Sequence, residues 1–286
     1  MIVKIGNRLV GGSNPTYIIA EIGINHNGDI SNAKKLIDVA IGSGCDAVKF
    51  QKRAPELCVP KNQKNVMRET PWGIIPYIEY RQKLEFDIDE YKEIDSYCMA
   101  NNIHWFASAW DIESLNFLEE FDLLCYKIPS AMITNHDLLQ AYRDTGRICI
   151  LSTGMSTMEQ ITEAVNIFNK ENLLIAHCTS TYPSSLEQLN LKMIDTLKER
   201  LGTIVGYSGH EVGLSTSYAA VTLGAKFIER HITLDRAMWG SDQAASVEPG
   251  GLKKLVENIR DIEKALGDGI KKVYPEEFIA MERLRP

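Results

Sequence analysis

The chain has no basic excess: 31 Lys and Arg stand against 38 Asp and Glu, for a formal net charge of −7. Binders of nucleic acid or of membrane surfaces ordinarily show the opposite balance, so neither partner is expected, and any anionic ligand has to be held by local cations. Paired cysteines are also lacking. The six cysteines Cys45, Cys58, Cys98, Cys125, Cys149 and Cys178 form no CxxC, and several sit in apolar runs where a thiol behaves as a small hydrophobe. Reduced thiols and a cytoplasmic location follow as expectations. The opening MIVKIGNRLVGG has neither a cationic leader with a long apolar core nor a cleavage-site pattern, and no apolar run is long enough to span a bilayer, so neither export nor membrane anchoring is expected. No GxGxxG follows the first strand-like run, which removes the usual dinucleotide fingerprint.

What is present is alternation. With 286 residues, 44% of them apolar, the chain can bury one large core as a single domain, 1–286. Eight apolar or β-branched runs, 17–23, 47–52, 104–110, 123–129, 148–153, 173–179, 203–208 and 226–232, read as strands separated by amphipathic helix-like stretches. Serial βα units in that number predict an α/β fold of the (β/α)8 TIM-barrel class rather than a doubly wound sheet. Residues 1–14 are expected to form a small hairpin plugging the barrel bottom. The stretch from Arg53 to Phe86 is too long for an ordinary βα loop, and its Trp72, Tyr77 and Tyr80 argue for an ordered lid. Residues 270–286 show little pattern and read as a tail, with no room for a second domain.

In such a barrel, polar residues at the C-terminal end of a strand face the site rather than the core. The runs end in Glu21 with Asn25 and His26 beyond; Lys49 and Gln51; Ser108; Lys127 before Ser130; Ser152 and Thr153; His177, Thr179 and Ser180; Ser208 before His210; and Glu229, Arg230 and His231. Lys49 and Lys127 stand in otherwise apolar strands, where an ammonium is costly unless paired with an anion. Two readings stay open: a structural ion pair with Glu21 or Glu229, or, with Ser130, Ser152, Ser180 and Ser208 around them, a cradle for a phosphate or carboxylate. His210 and His231 fall on neighbouring strands and suit a divalent metal, although strand-end histidines are more often simply hydrogen-bonded. His26 is placed in the site, His177 in the core, and His104 and His136 at surface or loop. Cys178, among apolar neighbours, reads as an inert thiol. Glu21 acts as general acid or base, or fixes a lysine. Asp242, in WGSDQAAS, meets a substrate hydroxyl or forms a turn.

At AEIGINHNG (20–28), VKFQ (48–51), YKIPS (126–130), LSTGM (151–155), HCTSTYP (177–183), GYSGHE (206–211) and ERHIT (229–233) the chain resembles the sialic acid synthase family, over nearly its whole length and in its barrel domain only. The resemblance implies a transferase that condenses phosphoenolpyruvate with a mannose-type six-carbon aldehyde. The product is a nine-carbon 3-deoxy-2-ulosonic acid, and phosphate leaves with C–O cleavage. It implies further that His210 and His231 ligate a Mn-like divalent metal, with Mg or Co as substitutes, acting as a Lewis acid on the aldehyde. Lys49, Gln51, Lys127, Ser130, Ser152, Ser180 and Ser208 would hold phosphoenolpyruvate, with Ser108 and Tyr182 also among the substrate contacts. Glu21 would manage the water that adds at C2, and Asp242 would orient the acceptor. A homodimer or homotetramer is implied as well.

Departures from the family pattern bear on the acceptor. Bacterial members that take free N-acetylmannosamine often carry Asn at the place of Ser180, Asp at that of Gly209 and Thr at that of Ala109. The motifs here look closer to the animal enzymes, so a 6-phosphorylated acceptor and a 9-phosphate product are expected. The C-terminal antifreeze-like domain of typical members, which contacts the N-acetyl group, is not expected here, and this brings mannose 6-phosphate level with N-acetylmannosamine 6-phosphate. Lys52, Arg53, Lys61, Lys64 and Arg68 are candidates for the sugar phosphate, or an ordinary solvated basic loop. The alternatives are a synthase acting on free N-acetylmannosamine, and a lyase in which Lys49 or Lys127 forms a Schiff base.

Overall fold

Runs such as Tyr17–Gly23 and Leu173–Cys178 are buried at every position, as parallel strands must be when both sheet faces are covered. A computed structural model describes all residues 1–286. Strands β1 (Ile2–Ile5) and β2 (Arg8–Gly11) form an antiparallel hairpin. Next come β3 (Tyr17–Gly23) and β4 (Ala47–Lys52), then a second hairpin of β5 (Met67–Thr70) and β6 (Gly73–Pro76). The chain continues through β7 (His104–Ala109), β8 (Cys125–Ile128), β9 (Ile148–Ser152), β10 (Leu173–Cys178), β11 (Ile204–Gly209) and β12 (Phe227–His231). Strands β3, β4 and β7 to β12 pair in parallel, in chain order, and β12 returns to β3 to close an eight-stranded (β/α)8 barrel.

Strand alternation decides what the barrel contains. On β3, Ile18, Ala20 and Ile22 point outward to the helices, while Tyr17 and Ile19 point inward to a floor shared with Phe106, Ile150, Leu174 and Phe227. Val3, Ile5 and Val10 of the first hairpin plug that floor, as expected of residues 1–14. Gly206 is required there, since a Cβ would stand 2.4 Å from the Phe227 ring. One step further along the same inward faces, the residues turn polar: Glu21, Lys49, Ser108, Lys127, Ser152, Ser208 and Glu229.

Three local expectations change, while the Arg53–Phe86 insertion is ordered as expected. The strand read as 123–129 stops at Ile128, because Pro129 has no N–H to continue the ladder. His104 is neither surface nor loop: it opens β7, and its Nδ1 lies 2.8 Å from the Tyr17 hydroxyl at the barrel floor. The insertion comprises β5, β6 and the flanking helices Pro55–Cys58 and Tyr77–Leu84. The tail contains a helix, Pro275–Leu284, with Pro275 in its first turn and no buried residue.

Candidate active site

At the C-terminal mouth of the barrel, one cavity of about 160 Å³ is lined by Glu21, Lys49, Gln51, Ser108, Lys127, Ser130, Ser152, Ser180, Tyr182, Ser208, His210 and His231. Glu229, Trp110, Met155 and Cys178 complete much of the wall. Every strand contributes, because each reaches its polar inward position at the same height: Glu21 is in register with Lys49 and His231, Ser208 with Glu229, and Ser108 with Lys127.

Glu229 is the hub. Both its oxygens accept from Lys127 Nζ, at 2.9 and 2.8 Å, and Oε1 also accepts from Ser208 at 3.1 Å and lies 3.6 Å from Lys49 Nζ. Burial alone would raise its pKa, but the two ammoniums outweigh burial and hold it below the usual carboxylate value. Lys49 also pairs with Glu21 Oε2 at 3.0 Å and donates to Ser108 at 3.2 Å. Burial works against its charge, but Glu21 and Glu229 overcome this and raise its pKa. Glu21 behaves differently. Burial, with Glu229 nearby, lifts it to about 7 in spite of Lys49 and of Gln51, whose Nε2 donates to Oε1 at 2.8 Å. Its Oε2 faces the Lys49 ammonium at 3.0 Å. The ion pairs that would make these lysines merely structural are therefore real, and they form the wall of the cavity.

The two histidines are neighbours, with ring centroids 5.4 Å apart, and the Tyr182 ring lies tilted against His210 at 4.1 Å. His210 Nδ1 donates to the Thr179 carbonyl at 2.7 Å, which fixes the tautomer and leaves Nε2 as a lone-pair donor. His231 Nδ1 is buried without a hydrogen bond. Burial, reinforced by the neighbouring imidazole, lowers His210 to about 3. His231 falls to about 4 for the same primary cause, against the pull of Asp242. Neutral imidazole is the ligating form. No cluster of three or more His, Cys, Asp or Glu donors accompanies them, so the two imidazoles alone form no closed protein cage, and a divalent ion held by them would need further ligands from outside the protein.

Other sequence candidates lie elsewhere. Asp242 does not line the cavity: its Oδ2 is 3.7 Å from His231 Nδ1, outside hydrogen-bond range, at the mouth. His26 is not in the cavity either: its ring stacks on Phe86 at 4.1 Å, and its Nδ1 accepts from Gly28 N. His177 packs outward, with Nε2 2.7 Å from the Leu189 carbonyl. Asn25 braces the mouth, donating to the Ile232 carbonyl and to Ser246. Arg230 faces away from the site, paired with Glu211 at 3.1 Å. Of the acceptor-related positions only Ser180 lines the cavity. Ala109 packs in the outer core, and a side chain at Gly209 would meet Glu211 and the Tyr207 ring.

Among the basic residues of the insertion, Lys52 is taken up by the Phe86 carbonyl and Glu85, and Lys64 by Glu56. Lys61 is exposed, and Arg53 stacks 3.5 Å over Trp110 and donates to Gln51. Sequence reasoning passed over Arg81, which is buried on the helix Tyr77–Leu84. It also did not single out Glu229 as the hub, although Glu229 lies two positions before His231 and so shares its inward face.

The NeuB family model matches residues 36–271. Over 269 residues the chain is 42% identical to N,N'-diacetyllegionaminic acid synthase of Campylobacter jejuni, covering 92% of this chain and 80% of that one. Over 285 residues it is 42% identical to N-acetylneuraminate-9-phosphate synthase of Mus musculus, covering 97% and 78%. The crystal structure of N-acetylneuraminic acid (sialic acid) synthetase from Leptospira borgpetersenii, in complex with citrate, matches with a TM-score of 0.88 at 35% identity, over 99% of this chain and 96% of that one. A truncated 3-deoxy-D-arabino-heptulosonate 7-phosphate synthase of Thermotoga maritima, 14% identical with a TM-score of 0.73, shares the fold. The family whose motifs line this barrel mouth is thus the chain's own: it belongs to the NeuB family of sialic acid synthases.

Proposed function

We propose that the chain joins phosphoenolpyruvate to the aldehyde carbon of a mannose-type six-carbon sugar carrying a 6-phosphate, giving a nine-carbon 3-deoxy-2-ulosonic acid 9-phosphate and inorganic phosphate. The observation that carries this reading is the single cavity where two ion-paired lysines, five serines and two neutral imidazoles converge. Lys49 and Lys127 bind the carboxylate and phosphate of phosphoenolpyruvate, and Ser130, Ser152, Ser180 and Ser208 donate to the same oxygens. C3 of phosphoenolpyruvate forms a bond to the aldehyde carbon, whose oxygen takes up a proton. Water adds at C2, the bond from C2 to the phosphate oxygen breaks, and a ketone remains as phosphate leaves. Glu21, with its pKa raised to about 7, takes the proton from that water. His210 and His231 would hold a divalent ion, Mn or else Mg or Co, which would supply Lewis-acid polarisation of the aldehyde oxygen. Asp242, beside His231 at the mouth, orients an acceptor hydroxyl. The relatives are named for a free acid in one case and for a 9-phosphate in the other, and the phosphorylated acceptor is favoured here by Ser180 in the cavity and by the two arginines that line a separate hollow.

The Schiff-base alternative needs a neutral amine. Lys49 is held more firmly protonated than usual, and Lys127 is bound by both oxygens of Glu229, so borohydride with pyruvate is expected to leave the protein unlabelled. The deciding assay measures phosphate release from phosphoenolpyruvate with mannose and N-acetylmannosamine, each with and without a 6-phosphate. Release is expected to require both an acceptor and a divalent metal, to be faster with 6-phosphosugars, and to drop at least a hundredfold in His210→Ala and His231→Ala. Full activity in those two variants, or release without acceptor, would refute the reading.

A further inference from the structure

We propose that the hollow between the β4-to-β7 insertion and the loop after β12 is an anion subsite, in which Arg81 binds the phosphate at the far end of the acceptor. This rests on the acceptor reading above and assigns it a place and a residue.

The motivating feature is a buried charge without a partner. Arg81 is 4% exposed, yet its Nε and Nη2 donate to nothing. The other deeply buried charges of this end of the barrel are all matched: Lys49 with Glu21, Lys127 with Glu229, Arg230 with Glu211. Glu85, whose carboxylate feels the charge of Arg81, is already engaged by Lys52 at 3.5 Å and by the Arg53 amide at 3.0 Å. A guanidinium removed from water with open donors is unfavourable unless an anion completes it, and its planar fork suits the oxygens of a phosphate.

The surroundings favour such an anion. Arg81 opens on a cavity of about 700 Å³ walled by Arg68, Tyr77 and Tyr80 of the insertion and by Trp239 and Ser241 of the loop, a size that accommodates a sugar phosphate. Arg68 lies 4.5 Å over the Tyr77 ring, and the Tyr80 ring meets Trp239 edge-on at 5.1 Å. One acid, Glu69, also lines the hollow against the two arginines. Arg53 adds a third cation close by: burial, and then the charge of Arg81, lower its pKa to about 10. The hollow borders the reaction site along the chain: Ser241, on its wall, is followed by Asp242, which lies 3.7 Å from His231. The proposal thus puts the aldehyde end of the acceptor at the histidines and its phosphate in the neighbouring hollow.

The test uses mannitol 6-phosphate, which has no aldehyde and cannot turn over, compared by calorimetry with mannitol and with inorganic phosphate. The wild type is expected to bind mannitol 6-phosphate at least tenfold more tightly than either. Arg81→Met is expected to weaken that complex by roughly 10- to 100-fold, with KM for phosphoenolpyruvate unchanged. Arg68→Met, at an exposed rim position where folding is not in question, is expected to weaken it several-fold. Binding no tighter than inorganic phosphate would mean an ion site only and would overturn the assignment, as would variants that keep the wild-type preference. A wild type that turns over only free sugars would refute the phosphorylated acceptor. In that case, tight binding of mannitol 6-phosphate that depends on Arg81 would still uphold the anion subsite.

Discussion

Gly154 shows how little space separates the strand-end loops. Its amide donates to Ser130 Oγ at 3.1 Å, and a Cβ placed on it would stand 2.1 Å from Ser180 Oγ and 2.9 Å from Ser130 Oγ. Both hydroxyls are assigned here to phosphoenolpyruvate, so Gly154→Ala must push them out of position. A displacement on the order of 1 Å can cost about a hundredfold in rate, and overpacking of this kind about 1–3 kcal/mol in stability. Steady-state kinetics should show KM for phosphoenolpyruvate rising at least tenfold with KM for the acceptor little changed; an unchanged KM for phosphoenolpyruvate would remove the two serines from its binding site. At this scale the sequence was informative where a residue conflicts with its surroundings. Lys49 and Lys127 stand out in apolar strands, and both line the cavity. Arg81 gives no such signal, because an arginine on an amphipathic helix is ordinary until Trp239 and the loop after β12 cover it.

The turn after β3 is the element on which the insertion rests. Gly28, at φ +70°, lies so close to the chain that a Cβ would meet the Lys83 carbonyl at 2.2 Å, and His26 stacks on Phe86. Burial lowers His26 from its ordinary 6.5 to about 3, and its Nδ1 must stay unprotonated to accept from Gly28. The sign follows from linkage: below about 6.5 the unfolded chain takes up a proton that the folded ring refuses, so this contribution is full above that pH and is lost as pH falls toward about 3. Between pH 7 and 4.5 the wild type should lose about 2–3 kcal/mol more unfolding free energy than His26→Gln, which keeps an acceptor and does not titrate. Denaturant titrations at the two pH values measure this, and equal losses would show that His26 is not buried in its neutral form. Elements were legible where burial imposes a period: the β-branched runs of the barrel read correctly, apart from ends such as Pro129. The helix Pro275–Leu284 and the hairpin of β5 and β6 were missed because neither packs one clean face on the core, so neither carries a periodic apolar signature.

Over the whole molecule, the barrel divides its work along its axis. The inward faces of the same strands pass from an apolar floor, Tyr17, Ile19, Phe106, Ile150 and Phe227, to a polar mouth with Glu21, Lys49, Ser108, Ser152 and Glu229. That gradient was legible as polar residues at successive strand ends. The acceptor preference was much less so, since Ala109 and Gly209 turn out to face away from the cavity and the arginine-lined hollow is made by segments far apart in the chain. The division makes stability and catalysis separable. Ile5, 1% exposed, belongs to the hairpin that plugs the floor, on the side of the apolar layer away from the site. Truncating such a residue costs about 2–5 kcal/mol, and a chain of this size shifts by roughly 2–4 °C per kcal/mol. Ile5→Ala should therefore lower Tm by about 4–20 °C while KM for phosphoenolpyruvate and kcat, measured well below the transition, stay within about twofold of wild type. A large change in KM at an unchanged Tm would mean that the floor and the mouth are mechanically coupled, and the layered description of the barrel would fail.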